Sequence, residues 1–235
     1  MKTAQELLPQ IQALGNPGTA RVLKNHGAKD PVWGAKIGDM KPLIKGVGSD
    51  PALARGLFDS GVYDAMYLSA LVVDGADLDA QTLDRWARLG YGGGISESTV
   101  PWLAVEHPEA VRLAFEWIES PQEFTAVSGW ATWTGLVATI PDADLDLAQV
   151  SRLLDRAGSQ VHTAPNRVRY AMNTFVISVG VYVQPLRPEA LAWADRIGPV
   201  EVFLGNTACE VPLASAYIEK TLNRGPVKKR RTMKC

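Results

Sequence analysis

The chain has 235 residues, 46% hydrophobic and 21% charged, with a formal net charge of −1. That balance supports a sizeable folded core and excludes a disordered polypeptide. The near-zero net charge hides a segregation: Arg224 to Cys235 holds six bases and no acid, leaving 18 bases against 25 acids elsewhere.

Taken in order, the chain reads as helix after helix. Thr3 with Glu6 forms a capping box for a helix through Leu14, stopped by Gly15-Asn16-Pro17-Gly18. A short helix over Ala20 to Asn25 and another from Trp33 to Val47 follow. Asp50-Pro51 supplies an N-cap and a proline at the first helical position, and Gly61 closes that helix. Tyr63 to Val73 carries apolar residues at helical spacing. Asp79 caps a helix through Leu89. Gly92-Gly93-Gly94 fits neither a dinucleotide nor a nucleotide-triphosphate loop and reads as a turn between helices. Ser98 or Thr99 is the expected cap of the next helix.

The same punctuation recurs downstream. Pro108 precedes a helix ending near Ile118, Ser120-Pro121 one reaching Ala138, and Asp144 or Asp146 one reaching Arg156. Pro165 opens Asn166 to Tyr182, Pro188 opens Glu189 to Ile197, and a last helix spans Leu213 to Arg224. Pro199 to Leu204 is the one strand-like stretch, with nothing to pair with. The fold expected is all-α. Leu83 to Gly90 and Leu191 to Gly198 echo each other, which fits stacked helical pairs of the HEAT type. Residues 1–223 then form a single repeat domain and residues 224–235 a basic tail.

The histidines (His26, His107, His162) and cysteines (Cys209, Cys235) show no metal-ligand spacing, so no metal or other cofactor is expected. The amino terminus has no apolar leader, and Phe175 to Val183 is shorter than the roughly 20 residues that span a bilayer. A cytoplasmic protein without membrane partners is the expectation.

Three constellations could carry function. Asn166, Arg167 and Arg169 open a helix, where outward amides and basic side chains suit phosphate; the alternative is pairing with the surplus acids. Lys228, Lys229, Arg230 and Arg231 in the tail suit a polyanion, or form a solvated end. Trp130 and Trp133 share one helix face, either as core or as an aromatic surface for bases. Glu97, beside the glycine run, is a general base, an electrostatic stabiliser or a solvated first-turn acid. No Ser/His/Asp or Cys/His arrangement appears.

Several segments together resemble the DNA alkylation repair family of HEAT-like repeat proteins, which includes the AlkD-type alkylpurine DNA glycosylases. They are His26 to Lys29, Tyr63 to Leu68, Ser96 to Trp102, Asn166 to Tyr170, and Thr207 to Pro212 leading into the basic tail. The resemblance implies a curved superhelix whose concave basic face holds duplex DNA, and excision of cationic alkylated purines by a catalytic Asp with two cleft Trp. In that register Glu97 stands at the catalytic Asp, Gly93 and Phe175 at the two Trp, and Val127 at a phosphate-binding Arg. The implied function is binding of duplex DNA, alkylated duplex included, with weak or altered excision through Glu97. The alternative is a non-catalytic scaffold for nucleic acid or protein.

Overall fold

A computed structural model describes residues 2–235. Among them helix is the regular structure present, with no strand, and Pro199 to Leu204 is irregular. The helices fall into two compact units, divided after Leu113.

In the first unit, α1 (Ala4–Ala13) starts at the Thr3/Glu6 capping box and buries Leu7 and Ile11, four residues apart on one face. The Asn16 side chain caps α2 (Pro17–Asn25), which buries none of its own residues. Residues 33–36 are irregular, α3 (Ile37–Met40) is one turn, and Lys41–Ile44 forms a 3₁₀ turn. The single helix expected over Trp33 to Val47 is therefore broken. The cause is distant in sequence. Asp64 accepts from the backbone N–H of Trp33 at 2.8 Å and of Ala35 at 2.7 Å, drawing those amides away from any helical ladder.

The α4 helix (Pro51–Asp59) begins where Asp50 accepts from Leu53 N–H at 2.9 Å, and it packs against α1 and α5 (Tyr63–Ser69). The α6 helix (Ala80–Leu89) is capped by Asp79 and buries Trp86, whose indole stacks on Phe58 with centroids 4.1 Å apart. The glycine run is not a free turn. Gly92 and Gly93 begin a helical stretch that passes through a π-helical turn, Gly94–Thr99, into α7 (Val100–Glu106). Thr99 donates to the Gly94 carbonyl inside that turn rather than capping α7.

The unit boundary falls within α8 (Ala110–Ile118). In the second unit the two longest helices, α9 (Glu123–Thr139) and α11 (Asn166–Tyr182), pack along each other. Around α11 stand α10 (Leu147–Gln160), α12 (Arg187–Ile197) and α13 (Ala214–Leu222). Close approach depends on glycines. A Cβ on Gly129 would sit 2.6 Å from Ile118 N, and one on Gly180 would sit 2.5 Å from Ile218 Cδ1. Gly158 makes room for the Trp193 indole, which a Cβ would meet at 2.1 Å.

The repeat echo holds as backbone but not as packing. Trp86 is fully buried, whereas Trp193 is half-buried and donates to Asp155. The two tryptophans stand one residue apart in the aligned segments, which turns the ring by about 100° around the helix.

Candidate nucleic-acid interface

Glu97 lies half-buried in the π-helical turn. Such turns insert one extra residue into a helix and re-aim the side chains they carry. The turn is held from α5, where the Tyr63 hydroxyl accepts from Gly94 N–H at 3.0 Å. Burial pushes the Tyr63 phenol up to about 12, with the neighbouring Tyr91, Glu97 and Asp64 adding to the rise and the Gly94 N–H opposing it. Gly94 cannot carry a side chain, because a Cβ would come within 2.2 Å of that hydroxyl.

The three aromatic cleft candidates are core residues. Trp130 and Phe175 have no exposed surface and meet edge to face with centroids 5.4 Å apart, while Trp133 packs against Phe115 at 4.9 Å. Gly93, at the other register position, has no ring to offer. Val127 is buried in α9.

The start of α11 is already satisfied from within the chain. The Arg167 N–H donates to Glu123 Oε1 at 2.6 Å, so a protein carboxylate sits where an anion was expected. Asn166 donates to the Phe203 carbonyl at 2.8 Å and accepts from Phe203 N–H at 2.7 Å, clamping the irregular 199–204 segment. Arg169 donates to the carbonyls of Ala164 and Glu201. Arg167 lies over the Tyr170 ring at 5.3 Å and is half-exposed. Asn166 and Arg169 thus hold the fold, whereas the Arg167 guanidinium reaches the surface over an aromatic ring.

The basic C-terminal segment is docked rather than frayed. Arg230 N–H donates to the Ala138 carbonyl at 2.8 Å, and the Lys229 ammonium donates to the Val137 carbonyl at 2.7 Å while pairing with Asp142 at 2.8 Å. These contacts satisfy the carbonyl end of α9, where a cation is favoured by the helix dipole. Lys229 is consumed by the fold. Its neighbours Lys228, Arg230 and Arg231 are exposed. In the first unit, Lys234 donates to the Val73 carbonyl and pairs with Glu106.

Among the described residues no cluster of His, Cys, Asp and Glu could hold a metal, and no helix is long and apolar enough to cross a membrane.

Residues 7–193 match the family model described as DNA alkylation repair enzyme. The chain belongs to the DNA alkylation repair family. It is 34% identical to the uncharacterized protein Lmo0209 of Listeria monocytogenes and 33% identical to Lin0241 of Listeria innocua, each over 95% of this chain and 99% of the relative. It is also similar to a solved structure from "a new family of proteins related to the HEAT-like repeat DNA glycosylases with affinity for branched DNA structures". That likeness has a TM-score of 0.91 at 30% identity and covers 100% of both chains. The all-α, HEAT-like fold expected from the sequence is confirmed.

In this family member a second basic stretch lies at the other end of the chain. Residues 15–47 carry Arg21, Lys24, Lys29, Lys36, Lys41 and Lys45 against Asp30 and Asp39. All six bases are exposed. Charge summed over this window is the signal that reveals the stretch. Motif reasoning misses it because the bases are spread among glycines and prolines rather than run together.

Proposed function

We propose that this protein binds DNA at branched structures and does not excise alkylated bases. The likeness over the full length to a relative with affinity for branched DNA carries the reading. The exposed cations Lys228, Arg230 and Arg231, with the half-exposed Arg167, are the phosphate contacts proposed in the second unit. Lys229 fixes the first three in place.

The case against excision is chemical. A cationic purine leaves readily once its charge and the developing sugar cation are stabilised by a carboxylate and aromatic faces. Glu97 supplies a carboxylate, but Gly93 has no ring and Phe175 is sealed in the core. Each absent ring forfeits about 0.5–2 kcal/mol. Replacing Asp by Glu also displaces the carboxylate by about 1 Å, which can cost on the order of 100-fold. A second reading, slow excision from duplex DNA, draws on the half-exposed position of Glu97 in the π-helical turn.

Two assays separate these readings. Mobility shifts with a four-way junction and a linear duplex of the same arms should show the junction bound in preference. Release of 7-methylguanine from methylated DNA should stay at the level without protein, for wild type and Glu97→Gln alike. Release by wild type that Glu97→Gln abolishes would establish the second reading instead.

A further inference from the structure

The first unit contains an open cleft of about 700 Å³ lined by Gln12, Arg21, Lys24, Asn25 and Trp33 with small apolar neighbours. Neither the family register nor the C-terminal cations account for it. Its volume falls in the usual range for sites that hold small organic groups. Its chemistry is an indole, two amide side chains and two cations, and no carboxylate lines it.

The aromatic wall is rigidly supported. Asp64, itself buried, grips the backbone on either side of Gly34 through Trp33 N–H and Ala35 N–H. From the opposite direction Asn16 N–H donates to the Trp33 carbonyl at 2.9 Å. Gly34 has φ +77°, and a Cβ there would come within 2.3 Å of the Asn16 carbonyl oxygen. Only glycine lets the segment lie this close to the start of α2. Trp33 is half-buried and lines the cleft. Arg21 is exposed and has no ion pair among the described residues. Lys24 pairs with Asp30 at 2.7 Å, but both side chains are exposed, so that pair is weak and can be exchanged for a phosphate.

We propose that this cleft receives one unpaired nucleotide of a branched DNA. The base stacks on Trp33, its edge meets the Gln12 and Asn25 amides, and its phosphate meets Arg21 with Lys24 at the rim. A paired duplex keeps its bases stacked inside the helix, whereas a flap or an open branch point exposes one for an aromatic platform. The proposal rests on the branched-DNA reading and gives it a site that distinguishes open from fully paired branches.

The test is fluorescence anisotropy at one salt concentration with two three-way junctions that differ only in a short single-stranded flap. Trp33→Ala should weaken binding of the flapped junction on the order of tenfold, with the fully paired junction changed by less than about twofold. Trp33→Phe should restore most of the loss. Arg21→Glu, at an exposed position that leaves the fold intact, should show the same selective loss. Wild-type affinity of both variants for the flapped junction, or equal losses on the two junctions, would overturn the cleft while leaving branched-DNA binding standing. Failure of the wild-type protein to bind either junction would overturn both.

Discussion

Lys229 and Asp142 form an ion pair, 2.8 Å from nitrogen to oxygen, that pins the basic C-terminal segment to the end of α9. Both side chains are largely shielded, and Lys229 also donates to the Val137 carbonyl. Charge-assisted bonds of this kind contribute about 1.5–3 kcal/mol each. Lys229→Met should therefore lower the free energy of unfolding by about 2 kcal/mol in urea denaturation. It should also weaken DNA binding, because its neighbours lose their fixed positions. An unchanged midpoint would show that the segment is not held this way.

Substituting Lys228, Arg230 and Arg231 together by alanine should separate binding from stability. These side chains are exposed, so unfolding free energy should change by no more than about 0.5 kcal/mol per site. DNA affinity should fall, and the slope of log affinity against log salt should shrink by about 0.9 for each phosphate no longer neutralised. An unaltered slope would remove these residues from the interface.

The buried aromatics should behave as core. Trp130→Ala and Phe175→Ala should each destabilise by about 3–5 kcal/mol. Phe175→Trp, which restores the ring that the glycosylase pattern places there, should cost about 1–3 kcal/mol through overpacking and should not confer base release. Thermal unfolding and the 7-methylguanine assay check the two halves independently.

Tyr63 sets a pH dependence. Its folded pKa is raised to about 12 from an ordinary 10.0. The unfolded chain therefore gives up this proton first. The stabilisation from the neutral phenol is complete below pH 10 and is lost as pH rises from about 10 towards 12, a fall on the order of 2–3 kcal/mol. Tyr63→Phe should start less stable, having lost the hydroxyl that accepts from Gly94, and should decline less across that interval. Parallel declines in the two proteins would contradict the assignment.

The legible parts of the fold were those fixed by neighbouring residues. Asp50-Pro51, Asp79 and Pro165 mark the starts of α4, α6 and α11, since a cap or a proline acts within one turn. The illegible parts were fixed from afar. Asp64 acts 31 residues away on Trp33, and Glu123 acts 44 residues away on Arg167. The basic helix start left phosphate and the chain's own acids open as partners, and Glu123 takes the Arg167 N–H. The family was legible because its motifs span the chain, whereas burial of Trp130 and Phe175 depends on which helices meet. The cleft beside Trp33 left no motif, because its lining comes from the end of α1, from α2 and from an irregular segment.

The central claim is preference for branched DNA, and a direct measurement is competition for the protein between a four-way junction and a linear duplex of equal length across a salt series. The account predicts that the junction is favoured at every salt concentration, while affinity for both falls as salt rises. Equal affinity for the two DNAs, or no binding at low salt, would contradict it.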